Sequence, residues 1–511
     1  MACAEDDEGN EGGPPLPADS NASPSGDMGG AQDRTAAQPG DGPGDSSSQD
    51  VVTPAGDGVE PPDDAPSDGD DPSEATDPGS TQPTGDPSVW AQMGYDERNW
   101  YFNPHERTLS PETVGSLEHK WTFTTAGYPA GTPIVAEGKV FVMANGGTYA
   151  IELATGTEVW SDTGIRGTAS VAYEDGFIYA HDERARLWKV SAQSGEVEWG
   201  PVTSDAQSGC DGTSSPILGG DLVIVGHSCG AREVGFGSAA GARGGVEAHR
   251  KSDGTKAWTH WTADPDETGA MVWSSVGIDV AAGIVYATTG NNYLAQGANS
   301  DAFHAMDLMS GDGLWKHQVR TGDVWSRPGV PDGPDSDFGA NPIVTGDGTV
   351  AAGDKASAFW ALDAETGSML WGRENLTSDS DAAHGGILNN GAFDGTTFYA
   401  TANDPSAGSA TIFAMNAADG SDKFEPRTYQ GGFAWGMPTL ANGVLFVPVD
   451  DELHVLDAET GEQLNSFNVG GTIAAGGAAI ADGHVVVGSG LTFIFDENVK
   501  NNNEVLCYGL P

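Results

Sequence analysis

Apolar residues along this chain come in short runs rich in Val, Ile, Phe and Tyr, with Gly, Asn or Asp between one run and the next. Runs this short predict strands joined by tight turns, not helices. They recur in a fixed order. A small residue followed by Pro or by another small residue opens each unit, and an apolar run, a Gly turn and a second strand come after it. A further strand ends in Ala-Leu-Asp or a relative, then comes Thr-Gly or Asp-Gly, and an aromatic residue closes the unit three or four positions on. The clearest copies cover 131–160 (GTPIVAEGKVFVMANGGTYAIELATGTEVW) and 340–371, which contains FWALDAETGSMLW; others cover 168–199, 212–258, 273–315, 384–424 and 436–467. Each copy predicts four short strands, one blade of a β-propeller.

An eighth copy begins at Gly471, runs through HVVVGSG and stops at Glu504-Val505-Leu506-Cys507-Tyr508 without its last strand. The missing strand sits at the other end: residues 117–123, LEHKWTF, carry a last strand's pattern and precede the first blade. The expected fold is all-β, an eight-bladed propeller closed by an N-terminal strand, because ring closure removes two open sheet edges. The closing aromatics Trp121, Trp160, Trp199, Trp258, Trp315 and Trp371 hold one slot per blade. That regularity predicts packing between neighbouring blades; a binding surface is the alternative.

Composition changes the picture at the N-terminus. Residues 1–88 contain no Trp, Tyr, Phe or Lys and are mainly Asp, Gly, Pro and Ser. With so little to bury they predict a disordered acidic tether, ahead of a folded unit over 89–511. They hold 21 carboxylates and one basic residue, Arg34, so the remaining 54 carboxylates and 21 basic residues give the folded unit −33 of the total −53. Such a surface repels nucleic-acid phosphates and anionic lipid headgroups, which excludes both as partners. It suits a basic redox partner, or simply solubility in salty water. No run of eighteen apolar residues is present, so no membrane-spanning helix is expected. Met1-Ala2-Cys3-Ala4 ahead of an acidic spacer looks like the mature end of a bacterial lipoprotein, which would leave membrane contact only through a lipid on Cys3; an incidental cysteine is the alternative.

The chain has four cysteines and no Cys-x-x-Cys-His, so no covalently bound c-type haem is expected. A hairpin over GTSSPILGGDLVIVGHS turning at Gly219-Gly220 sets Cys210 directly opposite Cys229. That placement predicts a disulfide, which suits an oxidising compartment outside the cytoplasm; two reduced thiols are the alternative. Cys507 reads as a small buried residue of an apolar strand.

In a propeller the starts of the inner strands, with the loops leaving neighbouring strands, converge at one end of a central channel. Here those starts read Gly131-Thr132-Pro133, Thr213-Ser214-Ser215-Pro216, Trp273-Ser274-Ser275, Phe338-Gly339-Ala340-Asn341-Pro342, His384-Gly385-Gly386 and Trp435-Gly436-Met437-Pro438. Hydroxyls, amides, a His and the two indoles Trp273 and Trp435 predict a flat, polar-rimmed ligand stacked there.

The ordered series WSSVGIDVAAGIVYATTGNNY, DAFHAMDLMSGDGLW, PDSDFGANPIV and GDKASAFWALDAETGSMLW resembles quinoprotein (pyrroloquinoline quinone, PQQ) alcohol dehydrogenases, nearest the polyvinyl-alcohol dehydrogenase group. YDERNWYFNPHERTLSPETVGSLEHKWTF is similar to that group's N-terminal region, and the likeness covers roughly residues 90–495. The resemblance implies that Trp273 supports one face of the quinone, with Trp435 as a second indole of the site. It implies Ca2+ held by Glu233, Asn291 and Asp337, with Asp337 also taking the alcohol's proton. Lys355 matches the basic position that hydrogen-bonds the quinone oxygens; Arg243, Ser214 and Ser215 match contacts to the cofactor's carboxylates. These residue types suit the chemistry: Ca2+ takes hard oxygen ligands, a carboxylate accepts the hydroxyl proton, and an ammonium stabilises charge on a reduced quinone.

A structural reading stands beside each. Asn291-Asn292 could turn a loop, Asp337 could hold structural Ca2+ with Asp335 and Asp332, and Lys355 could be a surface charge. The chain also departs from the family, which commonly sets two adjacent cysteines against the cofactor where this sequence has Ala239-Ala240. The haem motif of the polymer-oxidising members is missing as well. The resemblance implies an extracytoplasmic enzyme that oxidises a small-molecule or polymeric alcohol with PQQ and Ca2+ and passes electrons to a separate cytochrome. The alternative is a non-catalytic, surface-anchored propeller that binds or scaffolds.

Overall fold

The computed structural model describes residues 86–205, 210–229, 241–324, 335–378, 384–389, 391–492 and 498–511. The expected tether therefore lies, except for its last three residues, outside the described residues. From residue 86 onward the chain is an eight-bladed all-β propeller whose sheets succeed one another in order: blades 1 to 7 span 134–162, 172–203, 217–261, 277–318, 343–373, 392–430 and 439–468. Blade 8 spans 479–509 and is completed by Glu118–Thr124, which pairs antiparallel with Glu504–Gly509, Trp121 facing Cys507. This closing strand starts one residue later than its pattern predicts, because Leu117 is buried at the end of a short 3-10 turn, Val114–Ser116. Cys507 is buried and free.

The aromatic that ends one blade locks onto the next. Trp315 donates its indole N–H to the Ala364 carbonyl at 3.0 Å, and Gly367 of the same turn lies flat on the ring. Trp121, Trp160, Trp199, Trp258 and Trp371 donate in the same way to Leu153, Ala192, Lys251, Leu308 and Ala417. The Thr-Gly and Asp-Gly steps of the repeat are thus seats for the previous blade's indole. Gly367 holds φ +69°, and a Cβ there would stand 2.5 Å from the Trp315 ring. Gly367→Ala combines left-handed strain with overpacking and is expected to cost about 2–5 kcal/mol; an unchanged thermal midpoint would refute the seat.

The opposite end of the channel is closed by the chain itself, which visits every blade in turn. Asp482 of blade 8 donates its N–H to the Pro87 carbonyl at 3.1 Å, and Trp90 exchanges both backbone bonds with Val135 of blade 1. Tyr173 of blade 2 donates to Ala91, and Leu218 of blade 3 to the Gln92 side chain at 2.7 Å. Ile278, Val344, Phe393 and Leu440, one from each of blades 4 to 7, donate to Glu97, Arg98, Trp100 and Tyr101. Phe102–Asn103 then adds a parallel strand to blade 7, and the Asn103 amide reaches Ile480 of blade 8 at 2.8 Å. Residues 87–103 form a belt across the far ends of the inner strands, with Trp90 and Tyr101 fully buried beneath it.

Candidate functional site

Strand direction gathers the chemistry at the other end, where inner strands begin and second strands finish. Trp273 and Asp337 precede the inner strands of blades 4 and 5, while Asn291 and Lys355 come after the second strands Ile284–Thr288 and Thr349–Asp354. Backbone bridges zip these segments together: Arg243 pairs with Gly269, and Gly269 with Asn292. Ala270 N–H reaches the Asn291 carbonyl at 2.9 Å, and Lys355 N–H reaches the Asp337 carbonyl at 3.1 Å.

The centre of the arrangement is Asp337. Its Oδ2 accepts from Trp273 Nε1 at 3.0 Å, and its Oδ1 lies 3.0 Å from Lys355 Nζ. Lys355 Nζ is also 2.5 Å from Asp335 Oδ1, so one buried ammonium serves two buried carboxyl groups. Lys355 is only 7% exposed, which rules out the surface-charge reading. Burial raises the Asp335 carboxyl well above its usual range, and Lys355 opposes that shift without cancelling it. Gly339 explains the indole's placement, because a Cβ there would stand 2.2 Å from both the Trp273 ring and the Leu388 carbonyl.

Further acids, which the sequence pattern does not single out, surround this core. Asp301 is fully buried, and burial, followed by Asp323 and Asp337, holds it well above the ordinary carboxylate range although Ser300 opposes the shift. Asp354 is buried against Arg320 Nε at 2.8 Å and the Trp360 indole N–H. The Asn292 amide is also fully buried and without a hydrogen-bond partner among the described residues, so Asn291-Asn292 is more than an exposed turn. Asn291 itself is buried beside it.

Cys210 and Cys229 are joined by a disulfide with Cα atoms 4.2 Å apart. The turn that sets this pairing differs from expectation. Gly219 faces Leu222, so the turn is Gly220-Asp221, and two extra residues on the 212–216 side restore the register at Asp211–Ser228. The disulfide packs with Ala242, Met271 and Tyr293 in a cluster that Trp273 covers.

Three expected contacts receive other tasks, and one has no described place. Ser214 Oγ accepts from Gly226 N–H within blade 3. Ser215 donates its N–H to Ser275 Oγ of the next blade and accepts Ser170 N–H from the previous one, both at 2.9 Å. Both serines are at most 1% exposed, and these bonds tie strands and blades together. Arg243 spends its guanidinium on the Ala263 carbonyl at 2.6 Å and on the Trp261 ring, which turns it along its own blade. Glu233, Ala239-Ala240 and Asp332 lie outside the described residues. Trp435 shares the face but sits across the channel, packed with Tyr128, Leu388, Ala474 and Leu491.

Comparison with known proteins places this geometry among relatives. The model of the family described as outer membrane protein assembly factor BamB, a PQQ-repeat family, matches residues 120–201 and 242–423. The polyvinylalcohol dehydrogenase of Sphingopyxis sp. (strain 113P3) is 23% identical over 458 residues, covering 75% of this chain and 69% of that protein. The dehydrogenase subunit of the quinone alcohol dehydrogenase of Komagataeibacter europaeus is 24% identical over 350 residues, 56% of this chain and 46% of its own. The chain thus spans about half the length of such subunits. Among solved structures, the quinohemoprotein alcohol dehydrogenase of Comamonas testosteroni superposes with a TM-score of 0.65 at 18% identity, covering 83% of this chain and 82% of its own. BamB of Moraxella catarrhalis gives 0.52 at 14% identity, over 77% of this chain and 98% of its own.

Proposed function

The chain belongs to the PQQ-repeat propeller family whose model is described as outer membrane protein assembly factor BamB, and from that premise we propose that it is an alcohol dehydrogenase using PQQ and Ca2+ outside the cytoplasm. The observation that carries this reading is the buried Asp337 held between Trp273 Nε1 and Lys355 Nζ on the face where the inner strands begin.

The residues present fit the two groups. Among the described residues no three His, Cys, Asp or Glu side chains form a ready-made metal cage. The Asp337 carboxylate and the Asn291 amide, on neighbouring segments, are hard oxygens of the kind Ca2+ takes, and Glu233 is the expected third. Asp335 and Asp337 are buried beside Lys355, which pairs with both, so one ammonium is shared by two carboxyl groups where a cation would add further neutralisation. Trp273, half-buried beside Asp337, offers a flat indole face to a planar ligand.

When bound, PQQ supplies a two-electron acceptor and Ca2+ a Lewis acid. The chain supplies the rest. Asp337 accepts the hydroxyl proton, and the Trp273 N–H fixes the orientation of its carboxylate. Lys355 stabilises negative charge that develops beside it, and Asp335 holds the ammonium in place. We assign the onward electrons to a separate acceptor such as a cytochrome. The Cys210–Cys229 disulfide supports an oxidising compartment, and Cys3 is our proposed lipid anchor.

The test is reconstitution of the full chain with PQQ and Ca2+, followed by dye reduction with primary and secondary alcohols. Turnover that needs both additions, with PQQ quenching tryptophan fluorescence and a chelator stopping the reaction, is the expected result. No quenching and no turnover would establish the second reading, a non-catalytic binding or scaffold propeller, which the match to the BamB model favours.

A further inference from the structure

Lys355 stands in the short loop between the strands Thr349–Asp354 and Ala358–Asp363 of blade 5, so its ammonium goes where this hairpin end points it. The fully buried carboxyl group of Asp354 closes that end. Its Oδ1 accepts Ala358 N–H at 3.0 Å, and its Oδ2 accepts the Trp360 indole at 2.9 Å and Arg320 Nε at 2.8 Å. Ser357, at φ +62°, donates its N–H back to the Asp354 carbonyl at 3.1 Å. Arg320 follows the outer strand of blade 4, lies 5.5 Å from the centre of the Trp360 ring and reaches the exposed Glu374 at 3.7 Å.

Blade 2 contains the same clasp and shows what is particular to blade 5. There Asp182 accepts Arg186 N–H at 3.1 Å, the Trp188 indole at 2.8 Å and Arg186 Nε at 2.8 Å. The spacing from aspartate to tryptophan is the same in both blades. In blade 2 the arginine is local, whereas Ala358 takes its place in blade 5. The guanidinium of blade 5 comes instead from blade 4, the blade that carries Trp273 and Asn291. Each clasp presents the residue after its aspartate: Glu183 in blade 2, paired with Arg166 at 2.7 Å, and Lys355 in blade 5.

We propose that Arg320 is a positioning residue: through Asp354 it fixes Lys355 against Asp337, and so sets the rate of alcohol oxidation without touching the reacting groups. This rests on the reading of Asp337 as the base and Lys355 as the cation beside it. Without Arg320 the buried carboxylate of Asp354 loses the cation paired with it, a costly state that the hairpin end relieves by moving. Lys355 is the next residue along the chain, so its Nζ leaves the position 3.0 Å from Asp337 Oδ1. Asp354→Asn breaks the link from the other end, because an amide cannot accept hydrogen bonds at both former oxygens.

The experiment reads Lys355 first in the full chain without added cofactor. Its side chain is 9% exposed, and that of Lys251, ion-paired with Glu174 between blades 2 and 3, is 12% exposed, which makes Lys251 a matched control. Acetylation by acetic anhydride, followed by peptide mass spectrometry, should accelerate severalfold at Lys355 and stay unchanged at Lys251 in both Arg320→Ala and Asp354→Asn. In the chain loaded with PQQ and Ca2+, the limiting rate of PQQ reduction by ethanol or 2-propanol should fall about 10–100-fold, with the half-saturating alcohol concentration unchanged. Millimolar methylguanidinium should restore the rate of Arg320→Ala and not that of Asp354→Asn. Equal acceleration at both lysines means a loosened ring and overturns the proposal, as does acceleration at neither. Selective acetylation of Lys355 with an unchanged reduction rate overturns the role in the reaction. No turnover by the wild type, with selective acetylation intact, sinks the alcohol dehydrogenase reading and leaves Arg320 as the residue that places Lys355.

Discussion

Asp337→Asn lowers dye reduction by the loaded protein by about 10²–10⁴-fold, the usual worth of a positioned general base, while PQQ still quenches tryptophan fluorescence. Asn is nearly isosteric with Asp, so its carbonyl oxygen can still accept the Trp273 N–H that Asp337 Oδ2 accepts at 3.0 Å. What disappears is the capacity to take a proton, together with the negative charge facing Lys355 at 3.0 Å. Loss of turnover with retained quenching identifies a base. Loss of both identifies a residue that holds the cofactor or its metal, and full turnover places the base elsewhere. Single-turnover reduction of bound PQQ, followed by its absorbance, separates these outcomes from slow re-oxidation by the dye.

Removal of residues 1–85 leaves the thermal transition where it is, whereas removal of residues 1–103 destabilises the ring by at least about 5 kcal/mol. The belt makes more than eight hydrogen bonds to the blades, and each is worth roughly 0.5–1.5 kcal/mol net. It also buries Trp90 and Tyr101 completely, and it ties each blade to one shared strand of chain. Calorimetry of the two truncations checks this. Equal midpoints would mean that the Trp–Gly seats and the closing strand hold the ring unaided.

The blades are legible in the sequence because their signals are local. Gly turns, a closing aromatic and Thr-Gly three or four residues before it recur in register, and each has a direct structural cause in the indole seat over a residue such as Gly367. The closing strand is legible for a related reason, since an orphan last-strand pattern at 117–123 matches a vacancy after Tyr508. The belt is not. Residues 87–103 pair through backbone atoms with inner-strand ends, so their side chains carry no periodicity to read.

The site divides along similar lines. Trp273, Asn291, Asp337 and Lys355 stand at fixed offsets from strand ends, and the structure brings them onto neighbouring segments. Ser214 and Ser215 occupy equally regular offsets, yet their hydroxyls are consumed within and between blades, a difference no spacing reveals. Asp301 and Asp354 look like ordinary strand-end acids in the sequence, because burial of a carboxyl group depends on which blade packs over it. The cysteine pairing emerges from the sequence through a turn placed one residue early, and the compensating two-residue shift lies in a segment with no hairpin signal.

The belt also imposes an order on synthesis. Residues 87–124 leave the ribosome long before their partners Ile480, Asp482 and the strand Glu504–Gly509. Until those emerge, the earliest structured segment of the chain waits with Trp90, Tyr101 and Trp121 uncovered, and blade 1 shows a bare flank. Contacts this distant in sequence close slowly, and an unfinished ring offers its strand edges to other nascent chains. Closure of the ring therefore waits for the strand Glu504–Gly509, and its yield in a cell depends on what shields the N-terminal segment until that strand arrives.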